Sequence, residues 1–143
     1  MKTRHILLSF SVLLFAFTKL IAQPNTEFDS KNFTDRKAFK EANGHYEDAN
    51  SIFKKASEDQ NAQLKYFIDQ NHYLPNGINE LAGAGGDGFK LALDEYLIAN
   101  AFNANSALCN FRIAVCYYNQ PAQKLMGLTY CEKAVQLNPK GWV

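Results

Sequence analysis

An all-α fold is what this sequence predicts, and three observations predict it. Apolar residues recur at threes and fours through a charged background over residues 33–60 and again from Phe89 to Leu137. No stretch after residue 22 alternates apolar and polar side chains as a half-buried strand does. The breaks between the later helical stretches, Asn103-Ala104-Asn105 and Asn119-Gln120-Pro121, are short, which makes successive helices antiparallel neighbours. Composition agrees, because 143 residues with 47% hydrophobic and 20% charged side chains describe an ordinary globular domain.

The first element is a targeting segment. Lys2, Arg4 and His5 form a basic start, Ile6 to Phe17 an apolar core, and Lys19-Leu20-Ile21-Ala22-Gln23 a cleavage region, so residues 1–22 read as a signal peptide cut after Ala22. The apolar core is short for a span of about 20 residues and Lys19 interrupts it, so no integral membrane span is expected after its removal. No cysteine follows to accept a lipid. All three bases of this segment leave with it and it holds no acid, so twelve bases face fourteen acids in the remainder, a charge of −2 in place of +1. That balance excludes a phosphate-backbone binder, and no nucleic acid partner is expected. The chain is expected to be exported, to the periplasm or the outer membrane.

Residues 23–32, polar and without apolar periodicity, read as a flexible leader. From there Thr34 or Asn32 caps a long N-terminal helix through Phe39, Ala42, Tyr46, Ala49 and Phe53, with a possible interruption at Asn43-Gly44. A second apolar series from Leu64 to Leu74 ends at the turn Pro75-Asn76-Gly77, and the glycines from Gly83 to Gly88 make an inter-helix loop, so residues 33–88 form one N-terminal helical segment. The string Gly83-Ala84-Gly85-Gly86-Asp87-Gly88 fits G-x-G-x-x-G, but no buried strand precedes it and no βαβ pattern follows, so no dinucleotide site is expected. Beyond it come a helix from Phe89 to Phe102, one through Leu108 and Tyr118, and one from Leu125 to Leu137.

No catalytic, cofactor or metal site emerges. His45 and His72 lack partners at metal-ligand spacing and read as surface or half-buried residues. Glu41, Glu47, Asp48, Glu58 and Asp59 read as a solvated helix face. Cys109 and Cys116, seven apart on one helix, are separated by roughly 10 Å and cannot pair, whereas either can meet Cys131 on the next helix. Burial as small apolar side chains is the other reading of all three.

Two series repeat. Ala92-x3-Tyr96-x2-Ala99 returns as Gly127-x3-Cys131-x2-Ala134, 35 residues later, and Ile113-Ala114-x2-Tyr117 lies between them. Over residues 89–141 the chain thus resembles the tetratricopeptide family, whose period is about 34 residues, although Asn110 stands at that family's tryptophan position and one residue is inserted between helices. The resemblance implies antiparallel helical hairpins of a short tetratricopeptide-type solenoid, with the long N-terminal helix capping one end. The whole arrangement is also similar to the N-terminal region of Bacteroidota envelope proteins in which such repeats precede a β-propeller and an OmpA-like peptidoglycan-binding domain, some serving type IX secretion.

In tetratricopeptide arrays the first helix of each repeat lines a groove. The resemblance therefore implies a protein or peptide partner bound by Arg112, Tyr118 and Asn119, with Arg112 pairing a carboxylate and Tyr118 and Asn119 orienting a peptide backbone. Alternatively the N-terminal helix fills that groove, since Leu108, Phe111 and Val115 make it apolar. The expected function is a non-catalytic protein-interaction or scaffold module of the cell envelope. A structural spacer ahead of the downstream domains of a longer, peptidoglycan-binding outer-membrane protein is the alternative, and the turn at Asn138-Pro139 leads us to expect the array to continue beyond Val143.

Overall fold

The computed structural model of the chain describes residues 24–69 and 87–141. The expected signal peptide, His72 and the glycines at 83, 85 and 86 lie outside the described residues. What is described is all-helical: α1 (Arg36–Asp69), α2 (Gly88–Phe102), α3 (Ala107–Tyr118) and α4 (Gly127–Leu137), with short 3-10 turns at Ser30–Asn32 and Pro121–Met126. Each helix packs chiefly on its neighbours in sequence, α1 on α2, α2 on α3 and α3 on α4. Among the described residues no helix is long and apolar enough to cross a membrane.

The cap of α1 is Asp35, one residue after Thr34 and three after Asn32, the two expected caps. Asp35 accepts hydrogen bonds from the Lys37 and Ala38 backbone N–H groups at 3.1 and 2.9 Å, satisfying two donors that the first turn leaves open, an arrangement that contributes about 1 kcal/mol. The helix then runs unbroken through Asn43-Gly44. A mid-helix glycine costs about 1 kcal/mol relative to alanine, less than is gained by keeping Ala42, Tyr46, Ala49 and Ala56 buried on one continuous seam.

The turn between α2 and α3 is fastened by side chains. Ser106 caps α3 by accepting from Cys109 N at 3.1 Å. Asn110, at the position where the family resemblance has tryptophan, is buried and donates from Nδ2 to the Ala104 and Ser106 carbonyls at 3.0 and 2.7 Å. A buried amide with two backbone partners holds a tight connection by hydrogen bonding where an indole would hold one by bulk.

Residues 24–33 differ from the expected flexible leader. Thr26 N donates to Asn105 O at 2.8 Å, Asn103 Nδ2 donates to Thr26 O at 2.6 Å, and Ala107 N donates to Asn25 Oδ1 at 2.9 Å. Phe28 stacks on Tyr46 with ring centroids 4.3 Å apart, and Phe33 lies 4.9 Å from Phe102. The segment is a strap across the α2–α3 turn and the start of α1, held by backbone and amide groups that leave no periodic trace in the sequence.

The core is aromatic and small at once. Tyr96 is fully buried among Tyr46 and Phe53 of α1, and Ala92 and Ala99 beside it have no exposed surface. Small residues also set the α3–α4 contact: a Cβ on Gly127 would stand 3.0 Å from the Ala114 carbonyl oxygen and 3.1 Å from Tyr117 Cβ, so α4 touches α3 there without a side chain between them.

Candidate functional site

The expected partner-binding residues fall on α3 but are not equally available. Arg112 is half-buried and turned toward α1, where Nη1 donates to Asn50 Oδ1 and the guanidinium lies over the Phe53 ring, 5.8 Å from its centroid. Asn50 Oδ1 also accepts from Tyr96 Oη at 2.8 Å, so one amide oxygen joins α1, α2 and α3. Asn119 is buried and accepts from Gln60 Nε2 of α1 at 2.7 Å, while its own Nδ2 donates to Val115 O at 2.9 Å. Tyr118 points the other way, 48% exposed, with the Lys124 ammonium 5.2 Å from its ring centroid. The picture of Arg112, Tyr118 and Asn119 in one open groove is therefore corrected: α1 occupies the Arg112 and Asn119 side, as the alternative held, and Tyr118 faces solvent beside the 121–126 turn.

One electrostatic feature stands out. Among the described residues Arg112 forms no ion pair with a carboxylate, and its partners, the Asn50 amide oxygen, the Phe53 ring and the Tyr96 phenol, are neutral. Its charge is felt by the surroundings: burial raises the Tyr96 and Tyr46 phenols, the latter from 10.0 to about 12, and Arg112 opposes both shifts. Sequence reasoning missed Asn50 and Gln60, since polar residues on a long amphipathic helix look like a solvated face.

The cysteines are free, Cys109 and Cys116 buried and Cys131 exposed, so the burial expected of all three fails for Cys131. Burial pushes the Cys109 and Cys116 thiols from 9.0 to about 12, the reverse of what an activated nucleophile requires. The folded state keeps these thiols neutral, whereas the unfolded chain ionises them near 9. Their contribution to stability is complete below pH 9 and is lost as pH rises toward 12. With a thiol-trapping reagent at mildly alkaline pH we therefore expect Cys131 to react at once and the other two only on unfolding. Fast labelling of all three in the native chain would contradict this packing.

His45 is half-buried, its Nδ1 2.5 Å from Glu95 Oε2, and ties α1 to α2. Among the described residues no group of three or more histidine, cysteine or carboxylate side chains is placed to hold a metal ion. Comparison of the chain with protein-family models, with curated proteins and with solved structures gives no match.

Proposed function

We propose that this chain is a non-catalytic interaction module of the bacterial cell envelope, exported by its N-terminal segment and built on tetratricopeptide-type hairpins. It presents the outer side of α3 to a protein or peptide partner. The observation that carries the reading is the pair of aromatic rings that the outer side of α3 shows to solvent, Phe111, 38% exposed, and Tyr118, 48% exposed. Seven residues apart, they lie on one face of the helix, and such rings supply apolar contact area at small entropic cost. The hold of Gln60 on Asn119 favours a second reading, in which α1 fills this side and the helices serve as a spacer for domains of a longer peptidoglycan-binding protein.

A photoreactive residue placed at Tyr118 in the exported chain tests the two. The interaction reading expects one discrete crosslinked protein in the envelope, weakened about tenfold in Phe111→Ala with folding retained, as loss of an aromatic contact at an interface implies. No crosslink, or one indifferent to Phe111, would leave the spacer as the reading.

A further inference from the structure

α4 repeats α2 in its ending and in its buried side as well as in sequence. A step of 35 residues carries Ala92, Leu93, Tyr96 and Ala99 onto Gly127, Leu128, Cys131 and Ala134. Both helices end on an asparagine of the same backbone shape, Asn103 at φ −131° and ψ 81° and Asn138 at φ −140° and ψ 69°. Each donates its N–H to the carbonyl four residues back at 3.0 Å. The small residues are buried in both, Ala92 and Ala99 on α2 and Gly127 and Ala134 on α4.

The neighbouring positions differ. On α2, Leu93 is 4% exposed and Tyr96 fully buried, because α3 lays Cys109, Ile113 and Cys116 into one apolar cluster with them, Cys109 Sγ standing 3.8 Å from the Tyr96 carbonyl oxygen. On α4, Leu128 is 58% exposed, Cys131 is exposed, and Val135, in the place of Asn100, is 50% exposed. This side of α4 is thus set apart from any other exposed helix side: its twin in the same chain is covered, and the helix that covers the twin has a defined pattern. Cys131 stands where the twin has a tyrosine, which leaves room where α3 meets a ring. Tyr118 borders the approach, its ring 5.2 Å from Lys124 Nζ in the turn that leads into α4.

We propose, resting on the interaction reading above, that Leu128, Cys131 and Val135 receive an amphipathic helix of the partner protein, seated on α4 as α3 is seated on α2. The twin defines the partner's chemistry. Its helix carries an apolar series placed like Cys109, Ile113 and Cys116, and it differs from α3 at the first of them. That position stands over a thiol and not over a phenol, so a large side chain fills the space that Cys109 leaves to Tyr96.

Two peptides of the α3 sequence, residues 103–120, test the seat against the full 143-residue protein. Both carry Cys116→Ala; one has Cys109→Leu and the other Cys109→Ala. In fluorescence anisotropy the native protein should bind the leucine peptide one to one, about tenfold more tightly than the alanine peptide, and the bound peptide should slow the reaction of Cys131 with a maleimide. Leu128→Glu or Val135→Glu should weaken binding about tenfold or more, with circular dichroism checking that the fold is kept, whereas Leu91→Glu, an exposed position on α2, should leave it unchanged. Cys131→Tyr restores the twin's ring and should reverse the preference in favour of the alanine peptide. Binding of neither peptide, full binding to Leu128→Glu, or an unchanged preference in Cys131→Tyr would each overturn the proposal. So would a Cys131 already slow to react in the protein alone, since the chain would then cover this face itself, or self-association abolished by Val135→Glu, since a second copy would then be the occupant. The Tyr118 crosslink should also be lost in Val135→Glu. A product that survives Val135→Glu and falls in Phe111→Ala keeps the interaction reading and removes the helix from α4, whereas no product at all ends the interaction reading and the partner with it.

Discussion

Tyr96→Ala should cost the fold about 3–5 kcal/mol, a large part of the roughly 5–15 kcal/mol available to a domain of this kind. Tyr96 has no exposed surface, its ring contacts Tyr46 and Phe53 edge-on with centroids 6.1 Å away, and its backbone carbonyl accepts from Cys109 Sγ. Removing the ring leaves a cavity where α1, α2 and α3 meet, and the three helices cannot all close on it. Tyr96→Phe separates the contributions. It loses the Oη bond to Asn50, whose oxygen still accepts from Arg112, and the hydrogen bond between Arg112 and the phenol, so a cost of about 1–2 kcal/mol is expected. Denaturant unfolding of the pair reads both numbers, and an alanine variant within 1 kcal/mol of the native chain would show that this junction is not where the helices are held.

Gly127→Val should be the next most damaging change, at about 1–3 kcal/mol. A Cβ there already meets the Ala114 carbonyl oxygen at 3.0 Å, which is backbone and does not swing aside, and Tyr117 Cβ at 3.1 Å. Valine adds two methyl groups to that contact and forces α4 away from α3. The damage should be local, because α4 packs chiefly on α3 and the turn before it. Amide hydrogen exchange is expected to speed up across 127–137 while α1 and α2 keep their protection. Equal loss of protection in all four helices would mean that the domain opens as one unit.

Legibility followed the kind of interaction. α2, α3 and α4 were readable nearly to their ends, because their buried faces are apolar and periodic and their connections carry asparagine and proline. Where polar groups do the holding, the sequence was silent. Thr26, Asn25 and Asn103 fix the strap with amide and backbone bonds, and such residues look the same in a loose leader. Asn50 and Gln60 engage Arg112 and Asn119 from a helix whose polar residues have no signature separating a solvated amide from a bonded one. The solvated-face reading holds for the acids it named, Glu41, Glu47, Asp48, Glu58 and Asp59, all exposed, and it did not reach the two amides that decide how open the α3 side is. Gly44 misled in the other direction, since a penalty of about 1 kcal/mol looks like a break only when the seam around it is left out of account.

The length of α1 sets up a contrast within a single element. At 1.5 Å per residue its 34 residues extend about 51 Å, while the 15 residues of α2 reach less than half as far. Among the described side chains its last buried one is Ala56, and Gln60 bonds Asn119 of α3. Past that point nine residues remain to Asp69, where the exposed Lys65–Asp69 ion pair is worth a few tenths of a kcal/mol. A helical run of that length in water is marginal by itself, since nucleation and end effects outweigh so few bonds. One uninterrupted helix thus joins two unlike stretches: residues 36–60, whose buried side chains open only with the domain, and residues 61–69, none of whose described side chains is buried.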